Sequence, residues 1–276
     1  MSTHKPATQA YQNNPFMLAI EGLQLLFNKA RSLTWVGIGL TVMFTILYVI
    51  YMMVALFIDI NEKKGQATTA SATTSQAMPP LETLLPFIIG GSVLFLVLGV
   101  ILVFWQGIVD DTSAQLAAGK KTTFSESAAR VTERFLPYLW LRILVLIKVM
   151  LWSLLFIIPG IIMAIRYSLA GVSFFDKKHS ASAAIQHSAA MTKGSWLTTF
   201  AAQNLFNMVT GSVIAILVTP GANTLLYRQF ARTTQDTRPP AHWLSWLTLC
   251  LPIAFYVFIF LIIAVVIIVA AANGTL

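Results

Sequence analysis

The tract YLWLRILVLIKVMLWSLLFIIPGIIMAIRYSLAGVSFF, residues 138–175, sets the architecture of the chain. Its length is nearly twice the stretch of about 20 apolar residues that a transmembrane helix needs. Pro159-Gly160 stands in the middle of the tract and is a turn signal. The tract therefore predicts a hairpin of two membrane spans with Pro159-Gly160 at its apex. The tract 197–230, which Pro220-Gly221 interrupts, predicts a second hairpin of the same kind.

The composition is that of an integral membrane protein. Of the 276 residues, 57% are hydrophobic and 10% are charged, and the mean hydropathy is +0.75. Soluble domains average about 25% charged residues. The net charge of +8 is explained by Lys and Arg in cytoplasmic loops, so we expect no nucleic-acid partner. The first 15 residues are polar and no small-residue cleavage site follows the first apolar run, which predicts no cleavable signal peptide.

Other segments complete the predicted pattern of spans and surface helices. Residues 35–58, 84–105 and 243–272 are each apolar and long enough to cross a bilayer. The segment 65–80 is rich in Thr, Ser and Ala, ends in Pro-Pro, and predicts a flexible external linker. Amphipathic patterns predict helices on the cytoplasmic surface at 15–32, 123–135 and 176–196.

Start and stop signals support these surface helices. Asn14 before Pro15 is typical of a helix N-cap with proline in the first helical position. Thr123 and Glu126 form a capping-box pattern. Gly194 is the predicted stop of the third surface helix. In the first of them, Phe16, Ile20, Leu23 and Phe27 recur at helical spacing and predict its apolar face.

The sequence contains an internal repeat. SESAA (125–129) matches SASAA (180–184), and IIPGIIMAIRYSLA (157–170) matches LVTPGANTLLYRQFA (217–231). We interpret the matches as parallel repeats of one surface helix plus two spans, with residues 15–107 as a degenerate first copy. Chance recurrence of small-residue helices and Pro-Gly turns is the alternative.

The repeat gives the predicted fold class and organisation. The fold is an all-α, multi-pass transmembrane helical bundle built of these repeated units. We divide the chain into an N-terminal cytoplasmic region with a surface helix (1–34), two spans with the external linker (35–107), the repeated hairpin units (108–242) and a C-terminal span (243–276).

The distribution of positive charge predicts the topology. Of the 18 Lys and Arg residues, all but Lys63 and Lys64 fall on the side assigned to the cytoplasm, when Arg142, Lys148 and Arg166 are counted with it. This places the N-terminus inside and, after seven spans, the C-terminus outside. In the alternative, the short segment 221–233 dips into the membrane without crossing it.

Two stretches resemble a known bacterial family. They are GIVDDTSAQLAAGKKTTFSESAARVTERFLPYL (107–139) and IPGIIMAIRYSLAGVSFFDKKHSASAAIQHSAAMTKGSWLTTF (158–200). Both resemble the membrane domain that accompanies some bacterial glycerophosphoryl diester phosphodiesterases, and related bacterial membrane proteins of unknown function. The resemblance covers roughly residues 95–235 and leaves out the last span. It implies a helical bundle in the bacterial cytoplasmic membrane and no mechanism, because the phosphodiesterase chemistry of the family belongs to a separate soluble domain.

The titratable residues do not predict an enzyme. Asp110 and Asp111 are adjacent, so their side chains diverge on a helix, and we interpret them as marking the end of a span. His179 and His187 are eight residues apart, which is not a metal-ligand spacing on one helical turn. Cys250 is interpreted as a small packed residue. We therefore predict no catalytic residue, no metal and no cofactor.

Arg166 is the charge that most needs an explanation, because it lies in an apolar run with no carboxylate nearby. It can snorkel to the interface, or donate to backbone carbonyls left free at the broken turn, such as those of 155–158. Alternatively, Arg166, Lys148 and Arg228 bind an anionic lipid phosphate, which suits the guanidinium fork. We choose the third option as the functional hypothesis.

Two functions of different classes follow from these patterns. The first is a non-enzymatic, lipid-associated or scaffolding module of the bacterial cytoplasmic membrane, with membrane lipids and other membrane proteins as partners. The second is a small-solute channel or transporter, for which Asn204 and Asn207 supply polar character inside a predicted span. The favoured interpretation of these two asparagines is hydrogen bonding to a neighbouring helix.

Overall fold

The part of the chain that the structure describes is mainly helical. The computed structural model describes residues 11–68, 81–210 and 212–272. These residues contain a short 3-10 helix, Gln235–Thr237, and no β-strand, so the all-α prediction is confirmed for them. The α-helices are, in chain order, α1 (Pro15–Lys29), α2 (Arg31–Thr68), α3 (Leu81–Ala117), α4 (Phe124–Glu133), α5 (Phe135–Leu155), α6 (Ile157–Tyr167), α7 (Ala170–Asp176), α8 (Ala181–Thr192), α9 (Trp196–Thr210), α10 (Ser212–Phe230) and α11 (Trp243–Ala272).

Four helical segments among the described residues are long and apolar enough to cross a membrane. They are Leu96–Ala117 in α3, Phe135–Leu155 in α5, Ile157–Asp176 across α6 and α7, and Trp243–Ala271 in α11. A chain with several such helices fits a multi-pass membrane protein, because helices satisfy their own backbone groups in lipid. The count of seven spans, the side on which each terminus lies and the internal repeat stay predictions.

The last helix, α11, is the most exposed of the four. It begins at Trp243 as predicted, and no residue in its most apolar window is buried inside the protein. An exposed apolar helix of this length fits a membrane span. Cys250 was predicted to be packed and is exposed on this helix, so that interpretation is wrong. Its apolar neighbours belong to the exposed surface of α11.

The first two predicted spans lie within long helices. Residues 35–58 fall inside α2 and residues 84–105 inside α3. The predicted linker at 65–80 starts later than expected, because α2 continues to Thr68 and includes Lys63 and Lys64. The rest of that linker lies outside the described residues.

The helical hairpin at 138–175 is confirmed, but Pro159-Gly160 is not its apex. The break is at Phe156, whose extended backbone (φ −159°, ψ 144°) separates α5 from α6. Pro159 lies in the first turn of α6, where its missing N–H has no helical partner to lose. A Cβ added to Gly160 would lie 2.9 Å from the Cα of Ser153 on α5. The glycine therefore allows the two helices to pack closely instead of reversing the chain.

The second Pro-Gly pair is also not a turn. Pro220-Gly221 lies inside α10, which begins at Ser212, whereas α9 ends at Thr210. The Pro220 carbonyl accepts hydrogen bonds from Ser113 of α3 at 3.1 Å and from Thr224 at 2.8 Å.

Helix α9 is too short to cross a bilayer by itself. At about 1.5 Å per residue, its 15 residues are shorter than the hydrocarbon core of a bilayer, about 30 Å.

Helix α1 runs across the other helices. Phe16 stacks on Phe206 of α9, with 5.7 Å between ring centroids. Further along, a Cβ added to Gly22 would lie 2.5 Å from the carbonyl carbon of Gly221 on α10, so the two backbones touch. At its end, Leu26 approaches a small cavity shared with α2 and α3. The helix therefore packs against α9 and α10 and approaches α2 at its end.

The apolar face predicted for α1 is not the one that packs on the protein. Leu18, Ala19, Gly22 and Leu26 are buried, whereas Phe16 is 44% and Phe27 37% exposed. The helix thus has a protein-facing side and a separate exposed apolar side. A helix with such an exposed side fits the surface of a membrane.

The signals that start and stop the surface helices are confirmed. The Asn14 side chain accepts hydrogen bonds from the Phe16 and Met17 amides. Thr123 and Glu126 make both hydrogen bonds of the capping box of α4. Helix α8 ends at Thr192, and Gly194 follows with a left-handed backbone (φ +77°).

Candidate functional site

A buried carboxylate joins α3, α5 and α7. Asp110 has 0% exposure and accepts hydrogen bonds from the Tyr138 hydroxyl at 2.6 Å and from the Arg142 guanidinium. The Arg142 Nε also donates to the Tyr138 hydroxyl oxygen at 2.7 Å. Gly171 of α7 faces this carboxylate, since a Cβ there would lie 1.7 Å from Oδ2 of Asp110. Helices α3, α5 and α7 therefore meet at the Asp110 carboxylate, whose charge is paired with Arg142.

The neighbouring carboxylate binds a different arginine. Asp111 is 1% exposed, and Arg130 of α4 donates to it from Nε at 2.9 Å and from an NH2 group at 2.7 Å. The same NH2 group also donates to Thr122 at 2.8 Å and to Ser127 at 3.2 Å. This bidentate pair fixes α4 against the end of α3.

These contacts correct the interpretation of the two aspartates. They were predicted to mark the end of a span, but α3 continues to Ala117 and both side chains are buried. Each is tolerated there because it has its own arginine and further hydrogen bonds. The diverging directions expected of adjacent helical residues are confirmed, since Asp110 faces α5 and Asp111 faces α4.

A second polar cluster lies where α7 turns into α8. The Ser173 hydroxyl is hydrogen-bonded to Nδ1 of His179 at 3.2 Å and to Nδ1 of His187 at 2.9 Å. The two imidazole ring centroids are 5.2 Å apart. A hydroxyl can donate to only one of the two rings, so at least one ring carries a proton on Nδ1. The sequence did not predict this pair, because the two histidines are eight residues apart. The turn between α7 and α8 brings their rings together.

The surroundings of the pair hold it in place. The Tyr227 hydroxyl of α10 donates to Asp176 at 2.8 Å, and the Tyr227 ring lies 6.3 Å from that of His187. Arg134 donates to the carbonyls of Phe174 and His179. The described residues contain no group of three or more His, Cys, Asp or Glu side chains that could hold a metal ion.

The position of His187 predicts a dependence of stability on pH. Burial lowers the pKa of His187, and the charges of His179 and Lys177 lower it further, whereas Asp176 opposes them. The unfolded chain, with a pKa of about 6.5, then takes up the proton first. The free energy of unfolding should therefore be greatest above that pH and fall as the pH drops towards the folded pKa.

Thermal unfolding in detergent at about pH 8 and about pH 5.5 measures this effect. We expect the fall in Tm to be smaller in His187→Gln than in the unaltered protein. An equal fall in both proteins would show that His187 does not contribute.

The three residues predicted to bind lipid lie on three different helices. Lys148 is exposed on α5. On α6, the Arg166 guanidinium donates to the Ala189 carbonyl of α8 at 3.0 Å, and its own carbonyl accepts from Ser188 at 2.7 Å. One alternative predicted that Arg166 donates to backbone carbonyls such as those of 155–158. Arg166 does donate to a backbone carbonyl, but the carbonyl belongs to Ala189 of α8. Its role as a lipid ligand stays a prediction.

The third residue, Arg228 of α10, lines a cavity of about 230 Å³. Arg232, just beyond the end of α10, lines the same cavity, and its charge is close enough to lower the pKa of Arg228, after the larger effect of burial. Glu21 of α1 also lines the cavity, with Gln229, Tyr11, Gln12, Leu225 and Thr233 completing the lining. Neither Lys148 nor Arg166 is part of it.

Two polar atoms of the cavity residues are unsatisfied. Nε of Arg228 and Oε1 of Gln229 are buried and have no hydrogen-bond partner in the described part of the chain. Buried polar groups of proteins are nearly always paired, so each unpaired one requires an explanation. Within the same residues, no ion pair joins Glu21 to Arg228 or Arg232. Both unpaired atoms are buried, so they lie beneath the surface of the cavity and not on it. The sequence suggested Arg228, through the repeat, but not Arg232, Gln229 or Glu21.

The polar residues of α9 behave differently from the prediction. Asn204 donates to the Phe200 carbonyl of its own helix at 3.0 Å, so the predicted bond to a neighbouring helix is wrong for this residue. Gln203 makes the interhelical bonds instead, to Ser168 at 2.9 Å and to Asn223 at 2.7 Å. An amide has two donors, which allows Gln203 to join two helices where Asn204 joins none.

Comparison with protein-family models, with curated proteins and with solved structures gives no match. The resemblance to the membrane domain of glycerophosphoryl diester phosphodiesterases therefore stays a prediction.

Proposed function

We propose that the protein is a non-enzymatic, lipid-associated module of the bacterial cytoplasmic membrane that holds an anionic lipid head group in the cavity between α1 and α10. One observation carries this proposal: Arg228 and Arg232 face the same cavity without a carboxylate bound to either. Two neighbouring guanidinium groups repel each other unless an anion lies between them. Phosphate oxygens suit the planar fork of arginine, which can bind them through two parallel hydrogen bonds.

The exposed apolar side of α1 favours a lipid as the source of that phosphate. Phe16 and Phe27 lie on this side, and Glu21 on the same helix lines the cavity. A helix with its apolar side in the acyl region holds its polar side at the level of the head groups. The cavity would then open at that level.

The two buried aspartates support a non-enzymatic role. Asp110 and Asp111 are each bound by an arginine and have structural partners. A general acid or base needs a carboxyl group that can reach the substrate. These two carboxylates hold helices together instead.

Lipid retention, measured by native mass spectrometry of the detergent-purified protein, tests the proposal. Arg228→Gln/Arg232→Gln should lose about tenfold or more of the co-purified phospholipid, because a hydrogen bond to a charged group contributes about 1.5–3 kcal/mol. Arg31→Gln is the matched control, since Arg31 is exposed and lies outside the cavity, and it should keep the lipid. Equal lipid in the double variant and in the unaltered protein would refute the proposal. Arg166→Gln in the same assay determines whether the site extends to α6.

A small-solute transporter is the second candidate, and the Gln203 contacts favour it. Gln203, Ser168 and Asn223 form a hydrogen-bonded group inside the bundle, and such groups mark solute paths in many membrane proteins. Solute flux into reconstituted vesicles that is lost in Gln203→Leu would support this candidate. Flux equal to that of protein-free vesicles would exclude it for the solutes tested.

A further inference from the structure

We infer that the hairpin formed by α5 and α6 enters one leaflet of the membrane and ends inside it, so that its apex at Phe156 contacts lipid acyl chains. The partner of this surface is the hydrocarbon of a bilayer, which the hairpin penetrates without crossing. The inference goes beyond the proposed function, since the hairpin contributes no residue to the cavity between α1 and α10.

The tip of the hairpin is apolar and the protein does not cover it. Every residue of the segment 150–158 is exposed, and Leu154 and Phe156 are 81% and 73% exposed. The base of the hairpin is different, because Leu141 of α5 and Tyr167 of α6 are buried. A continuous apolar surface of this kind marks contact with another protein or with a membrane.

Two charged residues show how far the apex lies from a polar environment. Lys148 is exposed on α5, eight residues before Phe156, and Arg166 lies on α6, ten residues after it. At about 1.5 Å per residue, these cations are about 12 Å and about 15 Å from the apex along the two helices. Half of a hydrocarbon core is about 15 Å thick. A hairpin that ends near the mid-plane therefore places both cations at the level of the lipid head groups.

A hairpin that crossed the bilayer would place the same two cations in the hydrocarbon. With Phe156 in water on the far side, Lys148 and Arg166 would lie close to the mid-plane, where a charge is most unfavourable. Other long helices differ from the hairpin in this respect. Helix α11 has no charged residue in its 30 residues, and α3 has none between Glu82 and Asp110. These two helices have the uncharged length that crossing needs, and the arms of the hairpin do not.

The backbone at the apex is suited to lipid. Non-helical backbone is excluded from hydrocarbon because its polar groups are unpaired. Here the break is a single residue, Phe156, whose amide donates to the Trp152 carbonyl at 3.1 Å and whose carbonyl accepts from the Gly160 amide at 3.2 Å. Pro159 has no amide to satisfy. The Ser153 side chain lies against Gly160, between the two arms.

The depth of two spin labels tests the inference. Ile147→Cys and Phe156→Cys are made separately in the whole chain with Cys250→Ala, labelled with a nitroxide, and reconstituted in vesicles of phosphatidylethanolamine and phosphatidylglycerol. Collisions of the label with oxygen, which enters hydrocarbon, and with a nickel chelate, which stays in water, report its depth. We expect the label at Phe156 to be about 14 Å deeper than the label at Ile147, nine residues away.

Two further labels calibrate the measurement. Val257→Cys, in the middle of α11, is the control for an apolar environment and should match Phe156→Cys. Lys120→Cys, on an exposed turn after α3, is the control for water. Because both residues are exposed in the structure, the label should not disturb the packing of either helix.

Three results would overturn the inference. A label deeper at Ile147 than at Phe156 would show that the hairpin crosses the membrane. Nickel collisions at Phe156 as frequent as at Lys120 would place the apex in water. Few collisions with either reagent at Phe156 would show that protein, such as a second copy of the chain, covers the apex. The depth at Phe156 should be the same in Arg228→Gln/Arg232→Gln, so this inference and the proposed function can fail separately.

Discussion

Replacing Asp110 with alanine is expected to lower the free energy of unfolding by about 3–5 kcal/mol, the cost of removing one partner from a buried ion pair. The substitution would leave the Arg142 guanidinium without its counter-ion. It would also remove the acceptor of the Tyr138 hydroxyl. Unfolding in detergent, followed by circular dichroism against increasing SDS, measures the change.

A double variant distinguishes the loss of the whole ion pair from the loss of one partner, and a second variant is the control. Asp110→Leu/Arg142→Met removes both charges, and we expect it to recover most of the lost stability. Lys177→Gln is the control, because the Lys177–Asp176 pair is more exposed and such pairs contribute about 0–1 kcal/mol. A double variant as unstable as Asp110→Ala would show that Asp110 acts through its shape and not its charge.

Replacing Gly22 with alanine is expected to separate α1 from α10. The added Cβ would lie 2.5–2.9 Å from backbone atoms of Gly221 and Ala222, and a backbone cannot give way as a flexible side chain can. Overpacking of this kind costs about 1–3 kcal/mol. Because Glu21 and Arg228 lie on the two separated helices, lipid retention should fall together with thermal stability.

Gly39→Ala provides the matched control. Gly39 lies in α2, and a Cβ there would have nothing within 4 Å. The same substitution should therefore leave the Tm unchanged or raise it, since alanine favours a helix by up to about 1 kcal/mol over glycine. Equal effects at Gly22 and Gly39 would mean that the contact between α1 and α10 does not contribute to stability.

Local signals in the sequence predicted the helices well. The capping box at Thr123 and Glu126, the N-cap at Asn14 and the start of α11 at Trp243 all depend on residues within one helical turn. Such signals need no knowledge of the rest of the chain. The membrane class followed in the same way from the length and hydropathy of the spans.

The Pro-Gly pairs show where local interpretation was insufficient. Both pairs have the composition of a turn, yet both lie within helices. Gly160 faces Ser153 and Gly221 faces Gly22, so the glycines are required by close contacts between helices. A contact between residues about 200 positions apart leaves no trace in a window of local sequence.

The candidate site was only partly accessible from the sequence for the same reason. Arg228 could be singled out because the repeat pairs it with Arg166. Glu21 belongs to the other end of the chain, and nothing near it in sequence indicates that it lines the same cavity as an arginine. The two buried aspartates were misinterpreted because their arginines lie 19 and 32 residues away, beyond the reach of helical periodicity.

The Asp110 pairing also has a consequence for the order in which the chain enters the membrane during synthesis. Asp110 leaves the ribosome 32 residues before Arg142 and well before Gly171, against which its carboxylate packs. An aspartate costs about 2.5–3.5 kcal/mol at the centre of an inserting helix on insertion scales, and Asp110, near the C-terminal end of α3, costs a part of that. Inserted α3 is therefore less stable in the membrane by itself. It reaches its full stability only when α5 and α7 have been translated. Ribosome-bound chains in which α3 has left the exit tunnel but Arg142 has not should keep α3 close to the insertion machinery longer than chains in which Gly171 has also left it.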